Sequence, residues 1–378
     1  MKWNKGYSAT FYAAFVDPVT WRDTERFEIT GGSISRSDTD LQEACYLNCI
    51  RYDQSRERWV RVWMDTRQDG ASGHYAMFTG LATSPERTHY GVLVETPVEM
   101  YSVLKPADDV FLQRGYYAPI GASGADLAKE LISVTPAPIE TEPDSPLLGN
   151  AIIAEDGETR LTMAKKILEA INWKIDISGS GTIRIGPKSN ILTATFSPEE
   201  NDSIEPEISV DHDWFACPNV LRVILDDMSA VARDDSPDSP LSTVNRGREV
   251  WAEEECDGLA DGETLAEYAQ RRLKELQAVG TELGYDRRYH PDINVGSIIQ
   301  ISYPWQNING YYVVTDQKIE LEAGGRTSEE VKGYDGVVTV PARGGQDEVM
   351  PELDTLITND DYDLATEGGV DLAIWPSE

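Results

Sequence analysis

Apolar and polar positions alternate with period two through most of the first hundred residues. The alternation runs through YSATFYAAFV, RFEITGGSISRS, ACYLNCIRY and RWVRVWMDT. In the last stretch Trp59, Arg61 and Trp63 fall on one face and Val60, Val62 and Met64 on the other, the pattern of a half-buried strand. HYAMFTGLATS and GVLVETPVEM bring the count to about six strands within residues 1–104. Six short strands in one stretch predict a small barrel or sandwich, because closing the sheet removes its unpaired edges.

The period changes over residues 105–192. Ser123 and Asp126 form a capping pair ahead of a short helix, ADLAKELISV. TPAPIETEPDSPLLGN has four prolines and no period and is expected to be a surface loop. TRLTMAKKILEAIN sets Leu161, Ala164, Leu168 and Ile171 on one stripe, which predicts an amphipathic helix. A hairpin follows, with Trp173 to Ile177 and Thr182 to Ile185 joined by Gly179-Ser180-Gly181. This stretch therefore reads as a helix-plus-hairpin module.

Strand patterning returns over residues 193–326. PNVLRVILDD is a strand, an acidic loop of about twenty residues follows, and EVWAEEEC is the returning strand. A helix within 262–279 buries Leu265, Tyr268, Ala269, Leu273, Leu276 and Val279, with Asp261 as its cap and Gly280 as its stop. Residues 294–321 form a hairpin turned at Asn307, Asn309 and Gly310. The remaining residues, 327–378, read as an acidic extension. From Pro341 onward it carries ten acidic residues and one basic, and YDLATEGG and VDLAIWPSE echo each other through Asp-Leu-Ala. The fold class is mainly β with an α+β insert: two small antiparallel barrels flank the helix-plus-hairpin module.

An apolar content of 40%, with nine Trp and seventeen Tyr, is enough for real cores. The net charge of −33 disfavours binding to nucleic acid by phosphate neutralisation and binding to an anionic membrane. It suits solubility, and equally a surface past which DNA slides without sticking. Cys45, Cys49, Cys217 and Cys256 form no CxxC and have no histidine at zinc spacing, so buried free thiols are expected. No apolar run is long enough for a membrane span, and MKWNKGYSATFYAAF lacks the apolar core of a signal peptide.

Candidate chemistry is sparse. Asp211, His212 and Asp213 stand together in DHDW, but a metal site needs further ligands. Glu253 and Glu255 share a strand face beside Trp251, which fits a glycosidase carboxylate pair or, more simply, a solvated strand. Cys217 follows His212 too closely in one loop to argue for a thiol nucleophile. Trp305, Tyr311 and Tyr312 fit sugar stacking, edge packing or a partner interface. No HExxH, GxSxG or phosphate-binding glycine loop occurs, and no cofactor is expected.

PNVLRVILDD with its acidic, proline-rich loop ending Arg-Gly-Arg, the helix LAEYAQRRL and the hairpin from NVGSII to GYYVVTDQKIEL occur in an order that resembles the baseplate hub proteins of phage tails and contractile injection machines. AEDGETRLTMAKKILEAINWKIDISGSGTIRIGP resembles the α/β module those hubs carry between two barrels. The resemblance covers roughly residues 105–326. It implies a homotrimer whose six barrels match a threefold spike or fibre to a sixfold tail tube, around a channel for DNA and the tape-measure protein. Partners would be a distal tail protein ring, the tape-measure C-terminus, and spike, fibre or receptor-binding proteins, with Trp305, Tyr311, Tyr312 and Trp375 as interface candidates. The expected place is the virion tail tip, assembled in the host cytoplasm. A structural hub without an active site is the leading reading; a cell-wall glycosidase and a carbohydrate-binding adhesin are the alternatives.

Overall fold

The computed structural model describes residues 3, 5–38, 42–50, 52, 56–83, 88–90, 93–198, 203–211, 214–278, 281–341, 356–357, 362–367 and 371–376. The first strands are β1 (Ser8–Val16), β2 (Asp23–Ser37), β3 (Gln42–Ile50), β4 (Arg58–Gln68), β5 (Ala71–Ala82), β6 (Thr88–Tyr90) and β7 (Leu93–Ser102). Hydrogen bonding runs β1-β4-β5-β7-β3-β2, and a β1–β2 pairing closes the circuit. Inside lie Ala13, Phe15, Ile34, Leu47, Val60, Val62, Met64, Met77, Phe78 and Val98, the inward set of alternating strands except at the adjacent Met77 and Phe78, where an irregularity in the β4–β5 pairing puts an extra residue in β5.

The next stretch holds α1 (Lys105–Asp108), β8 (Tyr117–Ala118), α2 (Gly124–Ile132), β9 (Ile139–Thr141), β10 (Ile152–Ile153), α3 (Arg160–Ala170), β11 (Trp173–Ile177) and β12 (Ile183–Pro187). Ser123 Oγ accepts from Asp126 N at 3.3 Å and Thr159 Oγ1 from Thr162 N at 3.1 Å, caps worth about 1 kcal/mol each. Leu161, Ala164, Leu168 and Ile171 are all buried. The proline-rich segment is not wholly loop: β9 lies within it and pairs in parallel with β12.

The chain continues through β13 (Leu192–Phe196), β14 (Ile204–Asp211), β15 (Val220–Leu225), β16 (Met228–Arg233), α4 (Thr243–Arg246), β17 (Trp251–Glu255), α5 (Leu265–Ala278), β18 (Glu282–Arg287), β19 (Ile298–Tyr303), β20 (Ile308–Glu320) and β21 (Thr327–Gly333). Six of these wrap a second core of Phe196, Ile204, Leu283, Tyr285, Ile299, Ile301, Tyr312, Val314 and Val331. Their order is β13-β19-β20-β21-β18-β14. Numbered within each half, and leaving out β6 and the β15–β17 excursion, both halves read first, fourth, fifth, sixth, third, second. The second half differs in two respects. β13 pairs with β19 in parallel where β1 and β4 are antiparallel, and no β13–β14 pairing closes it among the described residues.

Four expectations for this region are corrected. β17 runs parallel to β15 instead of returning against it. The acidic loop contains a strand, β16, which forms the hairpin with β15. Together β15–β17 and α5 make a separate small layer around Leu221, Val223, Leu225, Tyr268, Ala269 and Leu273. The cap of α5 is the reciprocal pair Thr264 and Glu267, not Asp261. The hairpin turns earlier than its sequence implies, through a 3₁₀ turn (Pro304–Gln306) and Asn307 at φ 56°, so Asn309 and Gly310 are already in β20.

Residues 327–333, read as part of the extension, are the strand β21, paired with both β18 and β20. Chain contacts divide into Met1–Thr339 and Val340–Glu378. The second unit is a three-stranded antiparallel sheet of β22 (Leu356–Ile357), β23 (Tyr362–Glu367) and β24 (Asp371–Pro376). Its two Asp-Leu-Ala copies lie on the paired strands β23 and β24 and meet only at their alanines, Ala365 opposite Ala373, while Leu364 stands opposite Ile374.

One seam joins the two halves of the large sheet. The end of β2 pairs with the end of β20, from Ser33 opposite Glu320 to Ser37 opposite Asp316. Beneath it runs a buried polar chain. Arg36 Nη1 donates to Gln317 Oε1 (3.0 Å) and Gln317 Nε2 to Glu329 Oε1 (2.7 Å). Arg287 donates to both Glu329 oxygens, at 2.7 and 2.5 Å, and Tyr285 Oη donates at 2.9 Å. The Arg287 and Glu329 side chains are fully buried. A two-point pair with further donors is the geometry that offsets the cost of burying both charges.

The helix-plus-hairpin insert is fastened at its tip. Trp21 Nε1 and Arg61 Nη2 donate to Ser180 O at 3.0 and 2.9 Å, and Thr79 Oγ1 donates to Gly179 O at 2.8 Å. A Cβ on Gly179 would stand 1.9 Å from Ala76 O. Gly181 does provide a positive φ (79°), as a hairpin turn requires; Gly179 is needed for close approach.

Two outcomes follow. Glu329→Ala strands the buried Arg287 charge and should cost about 3–5 kcal/mol in denaturant unfolding. Gly179→Ala should cost about 1–3 kcal/mol and expose the 178–182 backbone to limited proteolysis.

Candidate assembly surface

Trp305 projects from the 3₁₀ turn and is 75% exposed. Tyr311 lies half-buried on β20. Tyr312 is removed from the interface candidates: it is 7% exposed and packs in the second core, because adjacent strand residues point to opposite faces. Trp375 lies on β24, and its side chain is outside the described residues.

Glu253 and Glu255 do share an exposed face with Trp251. Arg222 Nη1 donates to Glu253 Oε2 at 3.2 Å, and Trp251 Nε1 donates to Glu249 Oε2 at 2.8 Å. A glycosidase acid needs a desolvated carboxyl, and these stand in solvent. Asp211 ends β14, while His212 and Asp213 fall outside the described residues. No group of three or more His, Cys, Asp or Glu suited to a metal occurs among the described residues. All four cysteines are free and buried. Burial raises the Cys45 thiol well above its ordinary value and Cys49 to about 12, so neither is a nucleophile.

Three surface features carry no local sequence signal. The outer wall of the first sheet bears a stacked row: Arg26 over Tyr12, and His74 against both Tyr12 and Trp63, at 4.1 Å from the latter. Asp65 Oδ1 meets His74 Nδ1 at 2.5 Å, and Trp63 Nε1 donates to Asp23 Oδ2 at 2.6 Å. Trp, Tyr and Arg held rigidly are the residue types that dominate protein interfaces. Each comes from a different strand, so only strand pairing reveals the row.

The second feature is a groove of about 640 Å³ over the seam, lined by Glu205, Glu207, Asp286, Asp316, Glu330 and Lys318 among others. Arg326 there pairs with Glu205 at 3.0 Å and Asp286 at 3.6 Å.

The third is a cleft of about 280 Å³ where the first sheet, the insert hairpin and the turn before β19 meet. Arg36, Asp38, Glu43, Lys174, Asp176, Arg184 and Asn294 line it. Arg36 Nε lies 3.4 Å from Glu43 Oε1 but makes no hydrogen bond. Burial lifts Glu43 from 4.5 to about 7; Arg36 opposes the shift and Asp176 adds to it.

No protein-family model matches the chain, and no curated protein matches its sequence. Solved structures do match. A tail protein from Neisseria meningitidis MC58 aligns over 89% of this chain and 100% of its own, with TM-score 0.62 and 16% identity. The 43 kDa tail protein of prophage MuSo2 from Shewanella oneidensis aligns over 86% and 97%, with TM-score 0.57 and 10% identity. Prophage tail protein gp18 from Listeria monocytogenes EGD-e aligns over 87% and 95%, with TM-score 0.53 and 11% identity. The chain has the fold of these tail proteins. At such identities the shared quantity is backbone architecture, not a set of functional side chains.

In the folded protein at pH 7.5 the four thiols should resist an aromatic disulfide reagent over an hour and release about four equivalents after denaturation; rapid native labelling of Cys45 or Cys49 would contradict their burial.

Proposed function

We propose that the chain is a structural hub of a phage tail tip, a homotrimer in which each copy supplies two barrel-type tube domains to a six-membered ring. The observation that carries this reading is the repeated strand order in the two halves of the sheet. A subunit with two like-ordered halves can occupy two positions of a ring, and three such subunits convert threefold into sixfold symmetry. In this reading the domains are the first barrel, the α/β insert, the second barrel extended through β21, and the C-terminal unit. The tail-protein fold of the three solved structures supports the same assignment.

The partners in this reading are a distal tail protein ring, the tape-measure C-terminus, and spike, fibre or receptor-binding proteins at the virion tail tip, with assembly in the host cytoplasm. A net charge of −33 suits a channel wall that DNA and the tape measure pass without adhering. Trp305 and Tyr311 are the hairpin residues assigned to contact neighbours. The role is architectural, with no catalytic step.

The test is mass in solution. Light scattering coupled to size exclusion should give three times the chain mass of 42.0 kDa, alone or with the ring-forming partner; a monomer under both conditions would sink the proposal. Trp305→Ala should weaken subunit or partner association about tenfold or more while leaving the unfolding midpoint of the isolated chain unchanged, because the ring stands in solvent.

A further inference from the structure

Besides the apolar contact of its core with Val16 and Trp59, the insert meets the large sheet through its hairpin at two places of different chemistry. At the tip, the contacts are hydrogen bonds from Trp21, Thr79 and Arg61 to backbone carbonyls, and none of these donors loses its proton near neutral pH. At the root, Lys174 and Asp176 of β11 face Arg36, Asp38 and Glu43 across the cleft, with Arg184 of β12 at its rim. The turn before β19 closes it so tightly that a Cβ on Gly296 would lie 2.5 Å from Lys174 Nζ.

The cations at the root are already engaged. Lys174 Nζ is 2.7 Å from Asp176 Oδ1. The Arg36 Nη groups donate to Asn294 Oδ1 (2.9 Å), Gln317 Oε1 and Met77 O. Glu43, only 13% exposed at its side chain, is left with an unaligned Arg36 Nε and with Asp176 and Asp38 nearby. An ionised carboxylate in that position lacks the donors that would replace its water.

We infer that this root is a proton-sensitive hinge: with Glu43 uncharged the hairpin seats against both halves of the sheet, and with Glu43 ionised the root loosens while the tip stays fastened. The switching range fits, since burial places Glu43 near 7 and also raises Asp38. The sign follows from linkage. A carboxyl whose folded value is raised contributes its full stability below the ordinary value of 4.5, and that contribution is lost as pH climbs to about 7 and then levels off.

Amide hydrogen exchange tests it, with protection factors corrected for the intrinsic pH dependence. For residues 173–177 and 294–297, opening should increase on the order of 10- to 100-fold between pH 5 and pH 8.5, while residues 179–181 change little. In Glu43→Gln the same amides should lose most of that pH response, and in Glu43→Gln with Asp38→Asn all of it. Carboxyl-carbon NMR of the unmodified protein gives a second readout, with Glu43 titrating near 7. Equal protection at both pH values, an undiminished pH response in Glu43→Gln, or a Glu43 midpoint in the ordinary carboxylate range would each overturn the hinge.

Discussion

The architecture depends on the pairing of β2 with β20. Both strands are long enough to serve both halves of the sheet: the first part of β2 pairs with β1 and its end with β20, while the first part of β20 pairs with β19. Ile319 and Leu321 from the second half thereby pack in the first core. The polar chain from Arg36 through Gln317 to Glu329 and Arg287 lies under that junction. Its geometry is directional where apolar packing is not, so it ties the register of β2 to those of β20, β21 and β18. A slip of β2 by one residue would turn Arg36 outward and leave Gln317 Oε1 without its donor.

With the seam fixed, everything else is attached to a defined frame. The insert's own core continues onto Val16 and Trp59 of the first sheet, and its hairpin tip is clamped by Trp21, Arg61 and Thr79. The β15–β17 layer is covered by α5 on one face and leaves Trp251, Val231 and Met228 exposed on its strands. The exposed aromatic and arginine residues thus sit on rigid elements. Interface residues presented this way lose little conformational freedom on association, which suits a part that must assemble in fixed geometry.

Charge is arranged accordingly. The internal ion pair is compensated on all sides, whereas the large acidic excess stays where water screens it. Glu43 is an exception to that division. It sits between the frame and the insert with no aligned cation of its own, which makes the insert's root sensitive to protons while the seam beneath is not.

The sequence alone established the strands with apolar alternation, the helices at 124–132 and 160–170 with the Ser123 cap of the first, the 173–187 hairpin, the buried thiols and the order of segments that resembles tail hubs. These are local signals: residues two, three or four apart share a face whatever lies opposite. Only the tertiary structure decided which strands pair. β9 is three residues long in a proline-rich stretch and exists because β12 offers it a ladder. β16 was hidden in an acidic loop. β21 shows the reason best: its inward face is Thr327, Glu329 and Val331, a polar pattern that hydrophobic alternation cannot recognise as a core strand. Glu329 becomes an interior residue because Arg287, Tyr285 and Gln317, from 12 to 44 positions away, converge on it. A buried charge is defined by its partners, and partners are supplied by the fold.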